Sequence, residues 1–303
     1  MRFFCFDRVI SMNVAELRRK LTSEFRENGF ESPQTEADFI VAEVLKIRGI
    51  ELPLHDFDTP TGPQLDRIAE FKSRRLKNEP FQYIFGWTPF REIDLDVGPG
   101  VLIPRPETEF MLDSVLKKLP RGATVCELGT GSGAIALSLA FERPDLTVYG
   151  SELSAEAFRW SEQNRKKLGL PNVRFFQGSL YEPFPPELKF DAVIANLPYV
   201  AEEDRSQLPP NVRDYEPDAA LFAADHGFAV IEQALREAPE HLRHDHAQLF
   251  FEIGETQGER LLRLVSAQGF FTSAAVLPDQ YGADRQLFAE RGQPSPDRPR
   301  GPR

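Results

Sequence analysis

The sequence has few cysteines, no long apolar run and no excess of basic residues. Only 2 of its 303 residues are cysteine, which is typical of a chain from a reducing compartment. No apolar run approaches the roughly 18 residues that would span a bilayer. Lysine and arginine number 36 against 47 aspartate and glutamate, giving a formal net charge of −11. This balance argues against a general binder of nucleic acid or of anionic membranes, so we expect a globular, cytoplasmic protein.

The residues that are present indicate a globular chain with more than one structural part. The 303 residues, 41% of them hydrophobic, suffice for one large domain or two ordinary ones. Residues 13–80 are predicted to form a small helical domain, because apolar residues such as Leu17 and Leu21 recur at helical spacing. Met12 begins the first helical pattern, so we expect it to be the physiological start and residues 1–12 to be a non-native or disordered leader.

The pattern changes after the helical region. Residues 81–86 and 92–97 are predicted to pair as a hairpin within a linker over residues 81–106. Residues 107–291 alternate helices with apolar strands, which favours an α/β domain with a parallel sheet covered on both faces. Residues 292–303 are rich in proline and charge, and we expect them to be disordered.

A glycine turn joins the first strand of this α/β region to the following helix. The segment is VCELGTGSG, residues 125–133. Glycines let the backbone adopt positive φ and approach a ligand closely, and nucleotides bind at this edge of such sheets. The Walker pattern lacks its lysine, and G-x-G-x-x-G fails because Gly129, Gly131 and Gly133 are each two apart. Glu127 would repel a pyrophosphate, so the pattern favours a cationic ligand without phosphate, such as S-adenosylmethionine.

A second acidic residue, Glu152, follows the next predicted strand. A carboxylate at this position can accept hydrogen bonds from both ribose hydroxyls of a nucleoside. The alternative is that the glycine turn serves only tight packing and that Glu152 is a solvated surface acid. That alternative would not require the turn and the acid to follow successive strands. Together the two features favour a binding site for S-adenosylmethionine.

The tetrapeptide NLPY, which starts at Asn196, follows a buried strand. An amide or aromatic amine is a poor nucleophile, so a protein helps it chiefly by orienting its N–H groups with hydrogen-bond acceptors. The Asn196 side-chain oxygen is predicted to be one acceptor and a following main-chain carbonyl the other. Pro198 restricts Leu197 to an extended backbone, and Tyr199 offers a flat face to a planar amide or base. These four residues are the predicted catalytic set; the open alternative is an ordinary strand-to-loop turn.

The sequence offers no convincing metal site. His241, His244 and His246 lack a second cluster of ligands and are interpreted as a solvated helix end. Cys126 lies in a predicted buried strand and is interpreted as a small apolar residue. We therefore expect no metal.

Several further motifs run through the chain, and together with the glycine turn and NLPY they carry a family resemblance. They are the segments EPFQYIFG (79–86), LIPRPETE (102–109), YEP (215–217) followed by AL (220–221), EIG (252–254) with QG (257–258), and the pattern D-x-x-G-x-D-R (279–285). Over about residues 13–291 the chain resembles the PrmC/HemK family, the peptide chain release factor N5-glutamine methyltransferases. The run PRPETE is the most specific of these motifs.

The resemblance implies a helical N-terminal domain that helps recognise the release factor, followed by a seven-stranded, Rossmann-like methyltransferase domain. The implied substrate is the glutamine of the Gly-Gly-Gln motif in class-1 release factors, and the implied product of the cofactor is S-adenosylhomocysteine. The implied substrate contacts are Asn196, the carbonyl of Leu197, and Tyr199. The implied cofactor-binding residues are Glu127, Gly129, Thr130, Gly131, Ser132, Gly133, Glu152, Ser179, Leu180 and Asn196. We expect a monomer that does not bind nucleic acid directly.

Two positions depart from the family pattern. Leu197 stands where the family usually has the first proline of NPPY, and Ser179 stands where it often has an aspartate. NLPY is also common in the rRNA adenine dimethyltransferases. An adenine-N6 methyltransferase acting on RNA or DNA, or a glutamine methyltransferase acting on a ribosomal protein, therefore remains an alternative.

Overall fold

The computed structural model describes residues 12–292, and the chain divides into two compact units with a boundary between Phe85 and Gly86. Two predictions concern segments outside the described residues, apart from Met12 and Gly292. They are the leader over residues 1–12 and the disordered tail over residues 292–303.

The first unit is helical, as predicted. Its helices are α1 (Val14–Glu27), α2 (Pro33–Leu45), α3 (Gly62–Arg75) and α4 (Phe81–Phe85), with a 3-10 segment at Gly49–His55. A capping box begins α1, in which Asn13 and Glu16 satisfy each other's backbone N–H groups. Leu17 and Leu21, the residues whose spacing predicted this helix, are buried with Ile40 of α2.

The strand predicted at residues 81–86 is wrong, because α4 occupies residues 81–85. Alternating aromatic residues suggested a strand. The helix instead stacks Phe81 on Phe85 at the i, i+4 spacing, with ring centroids 5.2 Å apart, and buries both Tyr83 and Ile84. The hairpin lies further along the chain, where β1 (Trp87–Phe90) pairs with β2 (Ile93–Asp96).

The second unit contains the hairpin and an α/β domain, whose elements match the predicted alternation. Its further helices are α5 (Pro106–Lys118), α6 (Ala134–Glu142), α7 (Ala155–Leu168), α8 (Pro210–Arg213), α9 (Asp218–Leu221), α10 (Ala229–His241) and α11 (Gly258–Gln268), with a 3-10 segment at Glu202–Gln207. Its further strands are β3 (Thr124–Leu128), β4 (Thr147–Glu152), β5 (Val173–Gln177), β6 (Ala192–Ala195), β7 (Ala247–Glu252), β8 (Ser273–Pro278) and β9 (Asp284–Arg291).

The sheet has seven strands in the order β5-β4-β3-β6-β7-β9-β8. The first five are parallel, and β9 pairs antiparallel with both β7 and β8. Adjacent residues of each central strand point to opposite faces of the sheet and pack in two separate apolar layers. Val125 lies in one layer and Cys126 in the other. Both faces are therefore buried, which confirms the predicted fold class.

The strand order places the predicted site residues at one edge of the sheet. The chain runs outward from β3 to β4 and β5, then returns to β6 on the other side of β3. Ligands of open α/β sheets bind at such a reversal, outside the carboxyl ends of the strands. None of the helices within residues 12–292 is long and apolar enough to cross a bilayer.

Candidate functional site

A cavity of about 430 Å³ opens at the carboxyl ends of β3, β4 and β6. Of the predicted site residues, it is lined by Glu127, Gly129, Thr130, Gly131, Ser132, Glu152, Ser179, Leu180, Asn196, Leu197 and Pro198. It is lined also by residues that the sequence analysis did not select, among them Thr108 and Ser151. The topology thus brings together predicted site residues from four separate stretches of the chain, and Thr108 from a fifth.

Two predicted site residues, Gly133 and Tyr199, are not among the lining residues. Gly133 caps α6 with φ +86°, and a Cβ there would lie 2.7 Å from Cδ1 of Leu137. Its need for glycine therefore comes from the positive φ at the start of α6, together with the close approach of Leu137. By contrast, a Cβ on Gly129 (φ +70°) would approach Leu197 to 3.2 Å, so the turn and the NLPY segment are closely apposed.

Glu152 holds the glycine turn in place. One carboxylate oxygen accepts the backbone N–H of Gly131 at 2.9 Å, and the other accepts that of Ser154 at 2.8 Å. Burial raises the pKa of Glu152, and the backbone N–H groups of Gly131, Ser154 and Leu153 oppose this shift. A carboxylate has about four acceptor positions, so acceptor capacity remains for a ribose hydroxyl.

Glu127 is the most deeply buried acid of the cavity wall. It is 2% exposed, and its Oε2 accepts the backbone N–H of Ala136 at 2.9 Å. Burial raises the pKa of Glu127 well above its ordinary value, and the negative charge of Glu152 raises it further. A cation placed in the cavity would stabilise both carboxylates.

Replacing Glu127 with glutamine should stabilise the free protein. Because folding raises the pKa of Glu127, this group favours the folded state at low pH, and the benefit is lost as pH rises through the folded pKa. Glu127→Gln keeps an acceptor for Ala136 and removes the buried charge. We expect the free energy of unfolding to rise by about 1–3 kcal/mol at pH 8, with a smaller gain at pH 5. Denaturant unfolding at both pH values measures this. The exposed Glu187→Gln should show no gain, and equal or lower stability of Glu127→Gln at pH 8 would contradict the prediction.

The cavity also contains buried polar atoms without partners. The hydroxyls of Thr130 and Ser151 make no hydrogen bond to other described residues. Leu180 covers the opposite wall and holds φ +44°, a backbone conformation that costs energy for a branched residue. Unpaired hydroxyls, two acids and an apolar cover fit a ligand with a cationic part, sugar hydroxyls and a flat apolar ring, as in S-adenosylmethionine.

Asn196 is held by a chain of hydrogen bonds that the sequence analysis did not anticipate. Its Nδ2 donates to the hydroxyl of Thr108 at 3.0 Å, and Thr108 donates to Oε2 of Glu252 at 2.6 Å. Oε1 of Glu252 accepts from the phenol of Tyr199 at 3.3 Å. Thr108 belongs to PRPETE and Glu252 to EIG, so the motifs were visible, but their proximity depends on the fold.

YEP and the first part of LIPRPETE are joined to each other beside the cavity. The carboxylate of Glu216, from YEP, is fully buried and accepts from the backbone of Ile103 and the side chain of Arg105. This contact ties the loop that carries Leu102 and Pro104 to the segment that carries Pro217, and all three of these residues line the cavity.

The histidines near the end of α10 have structural contacts. His241 stacks on Tyr181 with ring centroids 4.3 Å apart, and Nε2 of His246 lies 2.7 Å from Asp191. Within residues 12–292, no three histidine, cysteine or acidic side chains are grouped as a metal ion would require.

Comparison with known proteins identifies the family. The model of the PrmC N-terminal domain matches residues 16–86, and that of a methyltransferase domain matches residues 119–265. The release factor glutamine methyltransferase of Geobacter sulfurreducens is 35% identical over 267 residues, covering 88% of this chain and 92% of that protein. Its counterpart from Vibrio cholerae is 35% identical over 288 residues, covering 93% and 98%. The chain belongs to the release factor glutamine methyltransferase family.

A solved structure supports the fold assignment in this family. The hMettl16 catalytic domain, crystallised with an RNA hairpin, superposes with a TM-score of 0.51 at 14% identity, covering 78% of this chain and 82% of that one. At that identity the likeness shows a shared methyltransferase fold and carries nothing about the substrate.

Proposed function

We propose that the protein methylates the side-chain amide nitrogen, N5, of the glutamine in the Gly-Gly-Gln motif of class-1 peptide chain release factors. The observation that carries this proposal is the position of Asn196. Its carboxamide lines the same cavity as the glycine turn, and no described residue donates to its Oδ1. Relatives at 35% identity that share nearly the full length are named for this activity.

S-adenosylmethionine is the proposed cofactor, and it supplies a methyl group on a positively charged sulfur. Glu152 would hold its ribose, the glycine turn of residues 129–133 its amino acid part, and Leu180 with Ser179 would lie at its adenine. Glu127 and Glu152 place two carboxyl groups in the wall of a cavity that is otherwise largely apolar. Their raised pKa values would fall towards normal when a cation enters.

The substrate amide needs orientation more than it needs a base. Its nitrogen lone pair is delocalised into the carbonyl, and deprotonation at neutral pH is too costly. Two acceptors, Oδ1 of Asn196 and the carbonyl of Leu197, would hold its two N–H groups and aim the nitrogen at the methyl carbon. On transfer the amide nitrogen would gain the methyl group and afterwards release one proton to solvent, and S-adenosylhomocysteine would be left as the second product.

Leu197 and Tyr199 contribute in ways that the motif alone does not show. The side chain of Leu197 is 4% exposed and packs in the apolar layer, so only its backbone is free to meet the substrate. Tyr199 is fixed at both ends, because its phenol donates to Glu252 and its carbonyl accepts from Gln257 at 3.1 Å. We propose that it supports the substrate site from behind the cavity wall.

The helical first unit is proposed to recognise the release factor. It exposes apolar side chains on one short stretch, with Ile50 83%, Leu54 82% and Phe57 90% accessible. Contiguous apolar groups exposed in this way are typical of protein-binding surfaces. We further propose a cytoplasmic monomer that contacts no nucleic acid directly, in keeping with the formal charge of −11.

The proposal is tested by methyl transfer from labelled S-adenosylmethionine. The acceptors are a class-1 release factor, its variant with alanine in place of the Gly-Gly-Gln glutamine, a mixture of ribosomal proteins and a structured rRNA. We expect label on the intact release factor alone. Label on the rRNA would favour an adenine methyltransferase, and label on a ribosomal protein would move the substrate to that class; either result overturns the proposal.

A further inference from the structure

A buried carboxylate controls the direction of the hydrogen bonds that reach Asn196. Glu252 is 1% exposed, and its two oxygens accept from Thr108 at 2.6 Å and from Tyr199 at 3.3 Å. Burial raises the pKa of Glu252, whereas the Thr108 hydroxyl and the positive charge of Arg285 lower it. Burial also raises the pKa of the Tyr199 phenol, so this group keeps its proton and acts as a donor.

With Glu252 ionised, the order of donors and acceptors in this chain has one consistent solution. An ionised carboxylate can only accept, so Thr108 gives its single hydroxyl hydrogen to Glu252. The Thr108 oxygen can then only accept, and the group that faces it at 3.0 Å must be the NH₂ of Asn196. The amide plane is thereby fixed with Oδ1 on the other side. A flipped carboxamide would set two acceptors against each other and would be disfavoured by roughly 10-fold or more.

We propose that Thr108 and Glu252 are positioning residues that orient the Asn196 carboxamide so that its oxygen, and not its NH₂, meets the substrate amide. This inference rests on the proposed role of Asn196 in holding the glutamine. It gives a chemical purpose to PRPETE and EIG, motifs whose residues Thr108 and Glu252 are 144 residues apart in the sequence and meet through this hydrogen bond. Neither residue is required to touch the methyl donor or the reacting nitrogen.

The motif D-x-x-G-x-D-R places a positive charge near Glu252. Arg285, from D-x-x-G-x-D-R, donates from Nε to Asp279 at 3.2 Å and from Nη1 to the carbonyl of Ile253 at 3.3 Å. The guanidinium is thus held beside the residue that follows Glu252. Its charge favours the ionised, acceptor-only form on which the direction of the chain depends.

Thr108→Val and Glu252→Gln test the proposal from two sides. Valine keeps the shape of threonine and removes the hydroxyl. Glutamine keeps the shape of glutamate but can donate, which lets Thr108 turn its hydrogen towards Asn196 and favours the flipped carboxamide. We expect kcat for release factor methylation to fall by about 10- to 100-fold in each. The KM for the release factor and the dissociation constant of S-adenosylhomocysteine should stay within about 3-fold of wild type.

Three comparisons separate positioning from packing. Thr108→Ser retains the hydroxyl and should recover kcat to within about 3-fold of wild type. The double variant should be no slower than the slower single variant, because the second change acts on a chain that is already broken. Thr88→Val removes a similarly buried hydroxyl from the hairpin and should leave kcat unchanged. Thermal unfolding of each variant shows that it is folded, and if Thr108→Val does not fold, Glu252→Gln and Thr108→Ser carry the test.

These variants distinguish failure of the positioning role of Thr108 and Glu252 from failure of the proposed role of Asn196. If Asn196→Ala abolishes transfer while Thr108→Val and Glu252→Gln turn over normally, Asn196 acts without the positioning residues and the inference is wrong. Equal losses in Thr108→Ser and Thr108→Val, or multiplied losses in the double variant, would indicate packing and also overturn it. If Asn196→Ala retains full activity, the proposed role of Asn196 itself fails.

Discussion

Asn196→Ala should lower kcat for release factor methylation by about 100- to 1000-fold or more, with S-adenosylhomocysteine still bound within about 3-fold of wild-type affinity. The variant loses the oxygen that would hold one N–H of the substrate amide. It leaves untouched the cofactor contacts proposed for Glu152 and the glycine turn, which come from β3 and β4 and not from β6.

Two measurements make this result decisive. Single-turnover methylation at saturating release factor and cofactor reports the chemical step, and calorimetric titration with S-adenosylhomocysteine reports cofactor binding. Gln207→Ala removes an exposed carboxamide elsewhere in the same unit and should behave as wild type. Unchanged single-turnover rates in Asn196→Ala would remove this residue from the mechanism.

Glu152→Ala should weaken cofactor binding by about 100-fold or more. Two hydroxyl-to-carboxylate hydrogen bonds are lost, each among the stronger contacts available to a neutral ligand group. The N–H groups of Gly131 and Ser154 also lose their acceptor, so the glycine turn is no longer held against the cavity. Turnover at saturating cofactor should change far less, because the proposed substrate acceptors on β6 are unaffected.

Titration with S-adenosylhomocysteine measures the effect, and an intermediate variant tests its cause. Glu152→Gln keeps one acceptor oxygen and replaces the other with a donor that must face a backbone N–H. Its affinity should lie between that of wild type and that of Glu152→Ala. Glu187→Ala, at an exposed acid, should bind normally. Wild-type affinity in Glu152→Ala would place the ribose elsewhere.

The sequence alone was sufficient for the fold class and for the polar turns at the strand ends that line the cavity. The glycine turn, Glu152 and NLPY each follow a predicted strand, and the carboxyl ends of parallel strands meet at one edge of a sheet. The structure places Gly131, Glu152 and Asn196 around one cavity, an arrangement that the order of these strands along the chain favours.

Other features were decided only by the tertiary structure, because they depend on which distant residues share a neighbourhood. Residues 81–85 have a strand-like alternation, but the stacking of Phe81 on Phe85 and burial of the intervening side chains make them a helix. Gly133 lies in a motif that resembles a ligand loop, yet its constraint is the positive φ at the start of α6 and the contact with Leu137.

The hydrogen bonds from Asn196 through Thr108 to Glu252 show most clearly what the sequence alone does not determine. Each residue belongs to a motif that can be read in the sequence, but a hydrogen bond between residues 108 and 252 requires α5 to pack beside the end of β7. A sequence specifies the chemical groups and their local periodicity. Which donor meets which acceptor across 144 residues, and hence which way the Asn196 amide faces, is set by packing.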